Sequence, residues 1–318
     1  MNPYRIVAPA KNEIDLEPFE LPQLATNEVL LETLYTTISP GTELAWLQHQ
    51  ASTPGVYPWY PGYSGCGKVI DKGDGVSTLE LGKIVACNMP HSSHIVMAEK
   101  ACHPLDDRQN PLDASAFRLG SIALQGIHKA QIKLGESVAV LGLGPIGLLA
   151  AQLAVASGAF VEGIDLLAWR RDLGLACGLG TVSAKATPDS FDVVLEVTGV
   201  PPVIGTAFEL AKERGRVVLL GSPRGLSDGV DFYGQVHRKG ISIVGAHERN
   251  RAQDAELLEQ THLKDEATFL NLLAADRVKM APLISEVVSP KSAAATYKRL
   301  AEREDGLFLA AFDWQKER

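Results

Sequence analysis

The chain has 318 residues, 46% hydrophobic and 21% charged, a composition that is ordinary for a soluble globular protein and allows two domains with sizeable cores. Its formal net charge of −8 argues against a general surface for nucleic acid or anionic membranes. The four cysteines show no CxxC spacing, and the first residues lack the basic-then-apolar pattern of a signal peptide. We therefore expect a cytoplasmic protein with reduced thiols and with no nucleic-acid or membrane partner.

The first part of the chain, residues 1–115, is predicted to form an antiparallel, barrel-like β domain. Short runs rich in Val, Ile and Thr alternate there with closely spaced Gly and Pro turn residues. The predicted strands span residues 29–39, 65–73, 83–88 and 94–105.

From Asp113 onward, strand-like and helix-like segments alternate, which indicates a second domain over residues 116–279. The predicted helices span residues 115–132, 170–176, 201–215 and 267–278, and the predicted strands span residues 138–141, 160–164, 191–199, 216–223 and 240–247. Such a βαβ series is typical of a parallel, doubly wound α/β sheet. The strand–helix–strand piece at 284–312 is predicted to return to the first domain, which residues 280–318 then complete.

The most informative motif lies between the first two strands of this series. The apolar run 138–141 leads into Gly142-x-Gly144-x-x-Gly147, and a helix-like segment follows. Gly142 permits a tight turn, Gly144 lets the backbone approach a pyrophosphate, and Gly147 lets the helix pack close to the sheet. The helix N-terminus offers free N–H groups and a positive dipole to phosphates. This order predicts a dinucleotide site rather than a membrane span, although the uncharged stretch 138–160 is long enough for one.

Asp165 closes the second strand of the series, 23 residues after Gly142. A carboxylate at this position can accept both hydroxyls of the adenosine ribose and would repel a 2′-phosphate. NAD is therefore the predicted cofactor and NADP is less favoured, although Arg170 and Arg171 lie near enough to soften this preference. The residues predicted to bind the cofactor are Gly142, Gly144, Pro145, Ile146, Gly147, Asp165, Thr198, Gly199 and Gly221.

Five segments together resemble the medium-chain dehydrogenase/reductase superfamily of zinc alcohol dehydrogenases and quinone reductases. They are ISPGTE (38–43), YPGYSGCGKVIDKGDGV (60–76), LGLGPIG (141–147), FDVVLEVTG (191–199) and GRVVLLG (215–221). The resemblance covers nearly the whole chain. It implies a GroES-like β-barrel catalytic domain, a Rossmann domain, a cleft between them, and hydride transfer between a nicotinamide cofactor and an alcohol or carbonyl substrate. It also implies a homodimer, because family members commonly pair through the last Rossmann strand.

The metal ligands of the family do not carry over to this sequence. The cysteine before Gly-Thr-Asp in zinc alcohol dehydrogenases is replaced by Pro40, and the histidine of Gly-His-Glu by Tyr63, followed by Ser64. No cysteine or acid stands around residues 118–120, and the lobe with four closely spaced cysteines is missing. Zinc is therefore not expected. A rearranged site built from scattered thiols and imidazoles stays open, with Cys66, Cys87, His91, His94, Cys102 and His103 as its candidate ligands.

Without zinc, the substrate oxygen must be polarised by hydrogen-bond donors, and a proton must come from a side chain or water. Thr42 matches the position whose hydroxyl relays the proton in zinc-type relatives, and Tyr63 would point its phenol into the same cleft. Ser39 and Glu43 are further catalytic candidates. A structural role is the alternative for Thr42, which can hydrogen-bond the turn, and for Glu43, which can cap a helix predicted to begin at Leu44.

The motif ISPGTE resembles a zinc-less branch of the superfamily, which includes bacteriochlorophyllide-type dehydrogenases and bi-domain oxidoreductases. The predicted function is a zinc-independent, NAD(H)-linked oxidoreductase that acts on a small-molecule alcohol/carbonyl pair. Two alternatives stay open: an NADPH-dependent quinone or enoyl reductase, and a catalytically inactive nucleotide-binding sensor or partner subunit. The substrate, the reaction direction and the proton donor are left undecided.

Overall fold

The structure is a computed structural model that describes residues 3–51, 53–250 and 261–317. It divides into two compact units, one of Met1–Arg118 with Leu283–Arg318 and the other of Leu119–Pro282. The predicted boundaries are at residues 115 and 279, and each boundary between the units lies three residues later along the chain. Within the described ranges, no helix combines the length and apolar character that a membrane span requires.

The N-terminal part of the first unit consists of short strands with two helices. The elements are β1 (Tyr4–Val7), β2 (Asp15–Pro18), β3 (Glu28–Thr37), α1 (Pro40–Leu47), β4 (Gly65–Lys72), β5 (Ile84–Cys87), β6 (His94–Ala98), β7 (Cys102–Pro104) and α2 (Pro111–Ala114). The predicted strand 94–105 is therefore two strands, because a 3₁₀ turn at Glu99–Ala101 separates β6 from β7.

The second unit alternates helices and strands. Its elements are α3 (Phe117–Ala130), β8 (Ser137–Leu141), α4 (Pro145–Ala156), β9 (Phe160–Ile164), α5 (Ala168–Ala176), β10 (Thr181–Ser183), β11 (Phe191–Glu196), α6 (Val203–Leu210), β12 (Ala211–Leu219), β13 (Ser242–Gly245) and α7 (His262–Ala274). The chain then returns to the first unit with β14 (Ile284–Val288), α8 (Ala293–Ala301) and β15 (Leu309–Asp313).

Two predicted helices differ from the structure by four or more residues at one or both ends. The helix predicted over 201–215 stops at Leu210, because Ala211 has extended backbone and pairs with Phe191 in β11. The helix predicted over 267–278 begins earlier, at His262, because the Thr261 hydroxyl caps it by accepting a hydrogen bond from the Lys264 N–H. It ends at Ala274.

The sheet of the second unit is parallel throughout, with the strand order β10-β9-β8-β11-β12-β13. Strand order reverses between β8 and β11, and in open α/β sheets ligands bind outside the carboxyl ends of the strands at such a switch point. Residues 138–141 of β8 and most of α4 are buried, which explains the uncharged run without a membrane.

The main sheet of the first unit has the order β14-β15-β3-β4-β5-β7, with β6 also paired to β3. Its pairs are antiparallel except for β14 with β15. Because β15 pairs with β3, the C-terminal segment is part of this sheet. Phe312 of β15 and Tyr297 of α8 are buried in a core that includes Ile38 and Trp314.

Candidate dinucleotide site and candidate catalytic residues

The turn after β8 can be built only with glycine at two positions. Gly142 has a φ of 92°, and a Cβ added there would lie 2.8 Å from the Thr198 Cγ2. A Cβ added to Gly147 would lie 1.8 Å from the Gly142 carbonyl oxygen, which is far inside van der Waals contact. Around Gly144, the residue that caps α4, a Cβ would meet nothing within 4 Å. The turn is therefore tightly packed at Gly142 and Gly147, whereas Gly144 borders open space in which a phosphate would face the N–H groups of α4.

The two residues after Gly144 start the helix. Pro145 occupies the first turn of α4, where its missing N–H leaves no hydrogen bond unmade. Ile146 is half-buried beside it.

Asp165 follows β9 and fixes the glycine turn to the neighbouring strand. Its Oδ2 accepts a hydrogen bond from the Leu143 N–H (2.9 Å), and its Oδ1 accepts one from the Leu167 N–H (2.9 Å). Arg170 Nη1 lies 3.6 Å from Oδ2, and Arg171 Nη1 donates to the Asp165 carbonyl oxygen (2.7 Å). Each carboxylate oxygen can accept more than one hydrogen bond, so these contacts leave acceptor capacity for ribose hydroxyls.

The other predicted cofactor residues lie on the loops after β11 and β12. Gly199 has a φ of 64°, and a Cβ added to Gly221 would lie 2.5 Å from the Gly199 nitrogen. Thr198 packs against Gly142 through its Cγ2. The structure thus brings all the predicted cofactor residues to the carboxyl edge of one sheet, after β8, β9, β11 and β12.

One acidic residue at this edge escapes prediction from the sequence. Glu196, the last residue of β11, is fully buried, and its Oε1 accepts hydrogen bonds from the N–H (2.8 Å) and the hydroxyl of Thr198. Burial raises the pKa of this carboxyl above its ordinary value. The signal available in the sequence is a single charge inside the otherwise apolar strand VVLEV.

In the first unit, the structure brings Tyr63 and Ser39 together. The Tyr63 hydroxyl donates to the Ser39 Oγ at 2.5 Å, and Tyr63 is half-buried. Ser39 precedes α1, which begins at Pro40 and not at the predicted Leu44, because proline's fixed φ suits the first helical position. Thr42 is half-buried in the first turn of the same helix.

Glu43 lies inside the first unit and not at its surface. The side chain is fully buried, its Oε1 accepts from the Ser39 N–H (2.7 Å), and its Oε2 accepts from the Tyr297 hydroxyl and lies 3.1 Å from the His91 Nε2. The His91 Nδ1 lies 2.7 Å from the Thr36 Oγ1, which also accepts from the Trp314 indole (2.9 Å). Glu43 thus has both carboxylate oxygens occupied inside the core, where one of them holds the Ser39 N–H, and its catalytic role stays a prediction.

The pKa of the Tyr297 phenol is changed by this buried network. Burial and the neighbouring Glu43 carboxylate raise the pKa of Tyr297 well above its ordinary value. From the sequence, His91 is only a candidate metal ligand, and Tyr297 carries no signal. Their contacts with Glu43 join residues that are separated by 48 and 254 positions in the sequence, so no local motif predicts these contacts.

The residues present do not fit a zinc ion. Pro40 offers no donor atom, and the Tyr63 phenol is hydrogen-bonded to Ser39. Burial raises the pKa of the Cys66 thiol far above its ordinary value, which disfavours the thiolate that zinc needs. In residues 3–51, 53–250 and 261–317, no three His, Cys, Asp or Glu side chains are grouped to hold a metal. The six scattered candidate ligands of the first unit therefore do not form a site in the described part of the chain.

The sequence is similar to those of known dehydrogenases. The family model described as "Zinc-binding dehydrogenase" matches residues 145–262. The L-threonine 3-dehydrogenase of Caldanaerobacter subterraneus subsp. tengcongensis is 24% identical over 289 residues, which span 74% of this chain and 80% of that protein.

Solved structures show the same fold at low sequence identity. A putative zinc-binding dehydrogenase from Sinorhizobium meliloti 1021, bound to NADP, superposes with a TM-score of 0.84 at 20% identity, covering 98% of this chain and 99% of that chain. The protein named short chain alcohol dehydrogenase (rspB) from E. coli CFT073, complexed with NADH, gives a TM-score of 0.83 at 16% identity, covering 98% and 100%.

A parallel sheet with a glycine turn at its switch point, together with a unit of short antiparallel strands, is the architecture that this chain shares with these dehydrogenase structures. The predicted fold class, a GroES-like β-barrel domain plus a Rossmann domain, is confirmed. The chain is similar to the zinc-type alcohol dehydrogenase-like (medium-chain dehydrogenase/reductase) superfamily, the resemblance that its motifs predicted.

Proposed function

We propose that this chain is a zinc-independent, NAD(H)-linked oxidoreductase that transfers a hydride between nicotinamide and an alcohol or carbonyl substrate. One observation carries the proposal. At the two signature positions where zinc-type relatives place a cysteine and a histidine ligand, this chain has Pro40 and Tyr63, and Tyr63 is hydrogen-bonded to Ser39 at 2.5 Å. A proline cannot ligate a metal, and a phenol paired in this way is arranged as a hydrogen-bonding group.

In this proposal, the hydroxyls of Tyr63 and Ser39 polarise the substrate oxygen, which a zinc ion does in zinc-type relatives. A carbonyl oxygen that receives a hydride must be stabilised by a hydrogen-bond donor and must then gain a proton. In this proposal the Ser39 hydroxyl donates to the substrate oxygen and protonates it, Tyr63 passes its proton to Ser39 along their 2.5 Å hydrogen bond, and water reprotonates Tyr63. The 2.7 Å contact from the Ser39 N–H to Glu43 holds the pair at the start of α1. Thr42, in the first turn of α1, is the further donor candidate.

The preference for NAD(H) rests on Asp165. Its carboxylate is nearly buried and anchored by two main-chain N–H groups, so it cannot swing away from a ribose 2′-phosphate. Arg170 opposes this effect, because its guanidinium lies 3.6 Å from the carboxylate and offers partial neutralisation. We infer that the net preference favours NADH, since a desolvated carboxylate beside a phosphate dianion costs more than one partly exposed arginine returns.

The substrate is proposed to be an alcohol/carbonyl pair. The relative named for L-threonine takes its name from a secondary alcohol. Secondary alcohols and their ketones are therefore the first compounds to test.

The cytoplasmic location and the homodimer stay predictions.

The experiment is a turnover panel on protein of measured metal content. NADH and NADPH oxidation are followed with ketones, aldehydes, quinones and enoyl thioesters, and NAD reduction with secondary alcohols including L-threonine. The proposal expects turnover of an alcohol or carbonyl with NAD(H), unaffected by a zinc chelator. Faster reduction of quinones or enoyl compounds with NADPH would favour the reductase alternative. Tight NADH binding without turnover on any member would favour the sensor.

A further inference from the structure

Glu196 occupies the position in the second unit where strand order reverses. It ends β11, and in the parallel register it lies beside Leu141, the last residue of β8, and beside Leu219 of β12. Its main-chain carbonyl accepts hydrogen bonds from the N–H groups of Leu220 (3.0 Å) and Gly221 (2.8 Å). One residue thus contacts the strands that precede the Gly142 turn and the Gly221 loop.

The burial of this side chain calls for a reason beyond folding. A carboxyl at the end of an apolar strand loses its hydration, and a residue such as leucine would fill the same space without that cost. The side chain is fully buried, and its carboxyl receives hydrogen bonds only from the neighbouring residues Thr198 and Gly199 among those described. One carboxylate oxygen, Oε1, accepts from both the N–H and the hydroxyl of Thr198.

Thr198 transmits this contact to the glycine turn. The Thr198 Cγ2 stands 2.8 Å from the position of a Cβ on Gly142, and the Thr198 nitrogen stands 3.1 Å from it. The Thr198 Oγ1 also accepts from the Val200 N–H (3.0 Å), which shapes the loop around Gly199. Any shift of Thr198 therefore moves the surface against which the pyrophosphate turn is packed.

We propose that Glu196 is a positioning residue of the dinucleotide site, which fixes Thr198 by two hydrogen bonds and so sets the spacing between the Gly142 turn and the Gly199 loop. The inference rests on the proposed function, because it concerns the same NAD(H) site. What the position requires is a hydrogen-bond acceptor at Oε1, not a negative charge. Burial, which disfavours the charged form, agrees with this requirement. A preorganised site binds its ligand more tightly because less loop ordering is needed on binding.

The test compares NADH dissociation constants by fluorescence titration for Glu196→Leu and Glu196→Gln, with Val194→Ala as the matched control. Val194 is fully buried in the same strand, and its truncation lowers the melting temperature without touching Thr198. We expect Glu196→Leu to weaken NADH binding about tenfold, Glu196→Gln to stay within about threefold of the wild type, and Val194→Ala to bind as the wild type does. A merely structural role would instead move the affinity and the melting temperature together in all three variants.

A second variant keeps the test decisive if Glu196→Leu does not fold. Thr198→Val removes one of the two donors to Oε1 and leaves Glu196 in place, and we expect it to weaken NADH binding about threefold relative to the wild type. Wild-type affinity in either Glu196→Leu or Thr198→Val overturns the inference, and so does a Glu196→Gln variant as weak as Glu196→Leu. Wild-type protein that binds no NADH would refute the proposed function itself, which separates the two failures.

Discussion

Removal of the Glu43 carboxylate tests whether this residue is a buried positioning group. Glu43→Ala leaves three buried groups without their partner: the Ser39 N–H, the Tyr297 hydroxyl and the His91 ring. Each unsatisfied buried group costs about 1–3 kcal/mol, so the free energy of unfolding should fall by about 5 kcal/mol. At about 2–4 °C per kcal/mol for a protein of this size, the melting temperature should drop by about 10–20 °C.

Thermal unfolding followed by circular dichroism measures this loss. Glu20→Ala is the matched control, because Glu20 is an exposed glutamate of the same unit, and its removal should shift the melting temperature by no more than about 2 °C. A Glu43→Ala protein that melts with the control would refute the buried network, and would return Glu43 to the helix-capping or catalytic role that its sequence position suggests.

Three further predictions follow from the second unit and from the buried phenol. Asp165→Ser should lower the ratio of NADPH to NADH dissociation constants at least about tenfold in fluorescence titrations, because the charge that opposes a 2′-phosphate is removed; an unchanged ratio would rule out Asp165 as the determinant. Gly147→Ala should unfold at lower temperature, because its Cβ meets the preceding turn, whereas Gly144→Ala should melt like the wild type but bind NADH more weakly; equal melting of the two variants would contradict the geometry of this turn. Stability should fall as pH rises above about 10, since the raised pKa of Tyr297 makes its protonated form part of the folded state, and Tyr297→Phe should flatten that alkaline slope in pH-dependent melts.

The architecture of the second unit could be predicted because its signals are local. Apolar runs bounded by glycines mark β8, β9 and β11, and the alternation with helical segments specifies a parallel sheet. The end of α6 could not be read in the same way. Residues 211–214, AKER, have high intrinsic helix propensity, yet Ala211 pairs with Phe191 in the sheet, and tertiary pairing overrides propensity.

In the candidate site too, local features could be predicted from the sequence and contacts between distant residues could not. The glycine turn and Asp165 sit within one short segment, so their spacing alone predicts a dinucleotide site. The environment of Glu43 depends on His91 and Tyr297, which the fold brings from distant parts of the chain. The burial of Glu43 cannot be predicted from the spacing of residues in one sequence.

The most direct test of zinc-independent catalysis is the turnover number of Tyr63→Phe against wild type, on the best substrate of the carbonyl panel, with the zinc content of both proteins measured by elemental analysis. We predict less than about 0.1 zinc per chain in both proteins, and a turnover lowered about 10²-fold in Tyr63→Phe with little change in NADH affinity, because the lost hydroxyl is the positioned proton donor. About one zinc per chain with activity lost to a chelator, or full turnover without the Tyr63 hydroxyl, would contradict this mechanism.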